Sequence, residues 1–160
     1  MVLILKESSL PWEWATIMEG VEDYLGLMLD AGVPESAVSP LALKFEAIGV
    51  WVRLVTVGGH HQFVDTLQDK ALPKLRRALE GAVAIEIQDW IDILSDVIAR
   101  IEANPQEVCG IVGQNGGNST DLQALDRRFV QSWNRSEDRL NLTLPRHRDL
   151  RWGYEDQSSS

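Results

Sequence analysis

Apolar positions recur along much of the chain at alternating steps of three and four residues, the spacing of one face of an α-helix. Trp14, Met18, Val21, Leu25 and Met28 form the first such stripe and predict a helix from about Pro11 to Asp30. Pro11 suits a first turn, Glu19, Asp23 and Asp30 fall on the far side, and Ala31-Gly32-Val33-Pro34 ends the helix. A second helix is predicted to open at Ser39-Pro40, with Ser39 as N-cap and Pro40 as first residue. Its stripe is Leu41, Phe45, Ile48, Val52 and Val55, and Val50, Trp51 and Leu54 make much of the remaining surface apolar. That marks it as the central, buried helix. The β-branched run Val50–Val57 would also suit a strand, but the spacing upstream favours helix, which Gly58-Gly59 then breaks.

A short helix is expected from about His61 to Asp69, another from Pro73 to about Glu80, and a long one from about Val83 to Ala103. The long one has Ile87, Trp90, Ile91, Leu94, Val97, Ile98 and Ile101 on its apolar face, and Asn104-Pro105 stops it. Residues 104–119 read as a loop with four glycines. Thr120 and Gln123 have the spacing of a capping box. The helix behind them carries Leu122, Leu125, Phe129 and Trp133, and a further turn or helix holds Leu140 and Leu142. The expectation is an all-α fold: a single compact multi-helix domain over residues 1–150, about six to eight helices, with residues 151–160 as a frayed, disordered tail.

A chain of 160 residues with 44% apolar side chains suits one domain with a real core. The formal charge of −9 is unevenly placed. Residues 1–107 carry 17 acidic and 8 basic side chains, whereas residues 108–160 carry 7 of each. The acidic part repels phosphate backbones and anionic lipid. It either serves solubility alone or attracts basic surfaces, including the DNA-reading faces of regulators. Cys109 is the single cysteine, so no intrachain disulfide forms, which fits a reducing compartment. Sequons at Asn118, Asn134 and Asn141 mean little without a secretory route. Met1–Lys6 is too short an apolar run for a signal peptide, and no run approaches the ~20 residues of a membrane span. A cytoplasmic protein is expected.

Catalytic constellations do not emerge. His60 and His61 are neighbours whose side chains point apart, so one metal cannot easily use both, and His147 is distant in sequence. Cys109 lacks any signal of activation. Gly110–Gly117 lacks the Lys-Ser/Thr ending and preceding strand of a phosphate-binding loop. Arg127-Arg128 and Arg146-His147-Arg148 with Arg151-Trp152 are balanced by acids, which suits surface ion pairs better than nucleic-acid contacts. The reading is a non-enzyme with no cofactor and no metal.

Asp89, Asp92 and Asp96 fall opposite Ile87, Leu94, Ile98 and Ile101 at ~100° per residue and span about 10 Å along the axis at ~1.5 Å per residue. That spacing is comparable to the few ångströms of axial rise between DNA phosphates. Any amphipathic helix exposes charge opposite its core face, and Arg100 is placed to neutralise part of the row. The candidate partner-binding carboxylates are therefore Glu19, Asp23, Asp30, Glu86, Asp89, Asp92 and Asp96.

Two further segments, Val57-Gly58-Gly59-His60-His61-Gln62-Phe63 and Leu125-Asp126-Arg127-Arg128-Phe129-Val130, carry a resemblance. Over roughly residues 40–145 the chain resembles the bacterial DNA-mimic domain family (the DNA mimic protein 19-like proteins, many catalogued as a domain of unknown function). The family pattern is Asn-Gly-Gly-aromatic-X-Gln-aromatic followed by Leu-Asp-X-X-Phe-Tyr. Here Val57 replaces the Asn, His60 the first aromatic and Val130 the Tyr. The resemblance implies an all-helical fold and an acidic surface that occupies a regulator's DNA-binding face. Gly58, Gly59, His61, Gln62, Phe63, Leu125, Asp126 and Phe129 are expected to be mainly structural. The two glycines would permit a tight bend, Gln62 would hydrogen-bond backbone there, and Phe63 would enter the core.

Two classes of function remain. The first is an acidic binding module for a basic protein, such as a helix-turn-helix regulator or, in an immunity-like variant, a basic toxin. The second is a small-ligand protein or enzyme with a pocket near His60, His61 and Gln62. A structural role is a third option: six tryptophans, Trp51, Trp90 and Trp133 among them, would fill either a core or a homodimer surface.

Overall fold

The computed structural model describes residues 3–6, 14–104, 120–143 and 150–153. Five α-helices lie among them: α1 (Trp14–Asp30), α2 (Pro40–Leu67), α3 (Ala71–Ala84), α4 (Gln88–Ala103) and α5 (Thr120–Thr143). Single 3-10 turns occupy Glu35–Ala37 and Gln68–Lys70. The fold is all-α apart from one pair of short strands, β1 (Leu3–Lys6) and β2 (Leu150–Gly153). They run parallel, with Leu3 opposite Leu150 and Lys6 opposite Gly153. The pattern of apolar positions signalled neither strand. The tail expected from residue 151 thus begins inside β2, and residues 154–160 lie outside the described residues. So does the loop at 105–119 with Cys109 and the Gly110–Gly117 run.

α2 is the central helix, packed by α1, α3 and α5. Ser39 caps it, its side chain accepting from the Ala42 N–H at 3.4 Å, with Pro40 in the first turn. The cap satisfies a backbone donor that the helix itself leaves without a partner. Phe45, Ile48, Trp51 and Phe63 on α2 are fully enclosed. The β-branched run Val50–Val57 is helical, with Trp51, Val52 and Val55 buried in the core, a tertiary gain that outweighs weak propensity. Met18, Val21 and Leu25 cover α2 from α1, and Leu122, Leu125 and Phe129 do so from α5. α5 continues as one helix past Leu140 and Leu142.

The helix expected from Val83 to Ala103 is in fact two elements. α3 runs on to Ala84, and α4 starts only at Gln88. Between them Glu86 turns to φ +58°, the Ile87 N–H bonds to the Ala82 carbonyl at 3.1 Å, and the Glu86 N–H bonds to the Val83 carbonyl at 3.1 Å. These two bonds form a Schellman stop. The apolar periodicity ran through the break because Ile85 and Ile87 are both buried.

Candidate functional site

The Gly-Gly bend brings the two family-like segments together. Gly58 (φ −146°, ψ 16°) and Gly59 (φ +76°, ψ −178°) interrupt α2, and the helix resumes at His60. The φ of Gly59 is one that side-chain-bearing residues rarely adopt. A methyl group on Gly59 would also overlap the Asp126 carboxylate of α5. Asp126 Oδ1 accepts the His60 backbone N–H at 2.8 Å and contacts His60 Nδ1 at 2.6 Å. Asp126 therefore caps the second half of α2 from another helix.

The protonation of His60 follows from its second partner. The Trp51 indole N–H lies 3.1 Å from His60 Nε2. An indole N–H can only donate, so Nε2 must accept, and the ring proton sits on Nδ1 and points at Asp126. His60 is completely buried with both ring nitrogens engaged, which leaves no nitrogen for a substrate or a metal. Around it Trp51 meets Phe129 edge-on at 5.0 Å and Trp90 edge-on at 5.5 Å, and Trp90 stacks on Trp133 at 5.9 Å. These tryptophans join α2, α4 and α5 in the interior.

The other motif residues take lesser parts. Phe63, Leu125 and Phe129 are buried, as expected. Gln62 is exposed and donates to the Thr66 hydroxyl at 2.8 Å, where a bond to backbone at the bend was expected. His61 is half-buried, with Nε2 enclosed and lacking a hydrogen-bond partner among the described residues. Val57 and Val130, two of the departures from the family pattern, are 78% and 67% exposed. His60, the third departure, is the residue whose role the sequence concealed.

The carboxylate rows fare differently from one another. On α4, Asp89 pairs with Arg135 at 3.0 Å and Asp96 with Arg128 at 2.5 Å, both cations coming from α5. Asp92 accepts from Gln88 at 2.7 Å. Asp89, Asp92, Arg128 and Arg135 frame a shallow cleft of about 100 Å³ between α4 and α5 with Ile93, Gln131 and Ser132. Arg128 and Arg135 thus take two of the three aspartates. Glu86 is exposed at the α3–α4 break. On α1, by contrast, Glu19, Asp23 and Asp30 are all exposed and form no ion pair among the described residues. They lie within an arc of about 40° at ~100° per residue and span about 16 Å at ~1.5 Å per residue.

A larger cavity of about 320 Å³ lies between α1, α2, α3 and the 3-10 turn at Glu35–Ala37. Neither cavity is lined by His60, His61 or Gln62. Among the described residues no group of three or more His, Cys, Asp or Glu is placed to hold a metal ion, and no helix is long and apolar enough to cross a membrane. Comparison of the chain with protein-family models, curated proteins and solved structures finds no match.

Proposed function

We propose that this chain is an acidic interaction module that binds a basic protein partner, with the exposed face of α1 as its principal contact. One observation carries the reading: Glu19, Asp23 and Asp30 form a row without ion pairs among the described residues, in the part of the chain that holds the whole charge excess. Carboxylates already paired, such as Asp89 and Asp96, offer a partner little net field. An unpaired row both attracts a cationic surface and orients it. The resemblance to the DNA-mimic domains suggests a more specific partner, a transcription regulator whose DNA-reading face meets this row in place of phosphates. The engaged ring of His60 weighs against catalysis at the bend and supports the binding class over the enzyme class.

The test is capture from cell extract on the immobilised chain at low and high salt, with the Glu19→Gln/Asp23→Asn/Asp30→Asn variant alongside. Basic proteins are expected on the wild type at low salt, and they should be lost at high salt and on the variant. A DNA-mimic role adds that duplex DNA releases what is captured. Capture that persists on the triple variant and at high salt would refute the reading.

A further inference from the structure

The row on α1 has a gap. Glu19, Asp23, Gly26 and Asp30 follow one another at steps of four, three and four, so Gly26 occupies the row at the position where a fourth side chain would stand. Nothing in the fold requires glycine there. It sits inside a helix, where glycine weakens the element relative to alanine, and a methyl group built on it meets nothing within 4 Å. What its missing side chain leaves open is the cavity of about 320 Å³, lined by Leu25, Gly26, Leu29, Val38 and Leu43. Leu29 at its edge is 62% exposed.

The charges around the cavity select its occupant. Each of its carboxylates is already paired: Glu22 with Arg53 at 3.1 Å, Glu35 with Arg77 at 2.6 Å and Glu46 with Lys74 at 2.7 Å. A small ionic ligand would have to break one of these pairs, whereas an apolar group would not. Three carboxylates without an ion pair among the described residues, Glu19, Asp23 and Asp30, lie on the same helix beside the cavity. A second copy of this chain brings the same negative charge and is disfavoured. Resting on the binding reading above, we infer that the cavity at Gly26 is an anchor pocket for one large apolar side chain of a basic partner segment. Cations flanking that side chain meet the carboxylates on either side of the gap. The volume is at the lower end of that of small-molecule sites and accommodates a phenylalanine or methionine side chain. Central apolar anchors ringed by charge are where binding energy concentrates.

The probe is a helical peptide of about 18 residues with a central Phe and Lys three, four and seven residues away, compared with the same peptide carrying Ala for Phe. Fluorescence anisotropy with the full chain is expected to show the Phe peptide binding on the order of tenfold tighter. Gly26→Phe fills the cavity from within and should abolish the preference for the Phe peptide over the Ala peptide. Gly26→Ala, with circular dichroism and thermal melting of both variants, controls for folding. Equal affinity of the two peptides, or a Phe preference that survives Gly26→Phe, overturns the anchor. If salt-sensitive binding then persists and is lost in Glu19→Gln/Asp23→Asn/Asp30→Asn, the acidic-face reading stands without it. Binding insensitive to salt and to the triple variant, or none at all, overturns both.

Discussion

Asp126 Oδ1 accepts two hydrogen bonds from one residue, His60: the backbone N–H at 2.8 Å and the ring Nδ1–H at 2.6 Å. The contact crosses 66 positions of sequence and ties α5 to the resumed half of α2. Asp126→Ala leaves both donors of a fully buried residue unsatisfied and should cost about 2–4 kcal/mol. Asp126→Asn keeps an acceptor oxygen in place and should cost about half as much. Chemical denaturation of both variants checks this. Equal losses would mean that the acceptor is not what matters.

Gly59 makes that approach possible. Gly59→Ala adds both a strained φ and an overlap with the Asp126 carboxylate, so a loss of about 2–3 kcal/mol is expected. Gly58→Ala brings an overlap with Cβ and Cγ of Gln62 but no left-handed φ, and should cost less. Because the Gly59 methyl and the Asp126 carboxylate compete for one space, Gly59→Ala and Asp126→Ala should combine less than additively in a double-mutant cycle. Strict additivity would contradict the geometry.

The two helix stops, at Gly32 and Glu86, show what was legible and what was not. At the end of α1 the Val33 N–H bonds to the Met28 carbonyl and the Gly32 N–H to the Leu29 carbonyl, with Gly32 at φ +72°. The same pair of bonds ends α3 at Glu86. The first stop was readable because glycine announces a left-handed residue. The second was hidden because a glutamate holds the same conformation inside unbroken apolar periodicity. Periodicity also placed the core faces of α1, α2 and α5, and Gly58-Gly59 marked the bend. The pairing of His60 with Asp126 and of the α4 aspartates with Arg128 and Arg135 depends on how helices dock, which local spacing does not encode. The β1–β2 pairing is equally non-local, joining four-residue segments from opposite ends of the chain.

Glu86→Gly should therefore stabilise the protein by about 0.5–1 kcal/mol, since it relieves a left-handed non-glycine residue without touching the core. Thermal melting at fixed pH reads it. A loss of stability would show that the Glu86 side chain contributes more than its backbone strain costs.

Arg128 and Arg135 are exposed partners of Asp96 and Asp89, and such pairs contribute about 0.2–1 kcal/mol each. Arg128→Ala/Arg135→Ala should lower stability only by about 1 kcal/mol. It should also free the α4 row and raise the salt-sensitive affinity for a lysine-rich peptide. Unchanged peptide affinity would show that the two arginines do not mask the row.

The most direct measurement of the central claim is the affinity of a purified captured partner as a function of salt, for the wild type, for Glu19→Gln/Asp23→Asn/Asp30→Asn and for Asp89→Asn/Asp96→Asn. The account predicts steep weakening with salt for the wild type. It predicts a loss on the order of tenfold with a shallower salt dependence for the α1 variant, at ~0.5 kcal/mol for each exposed charge removed, and little change for the α4 variant. An α1 variant that binds as tightly as the wild type, with the same salt dependence, would contradict it.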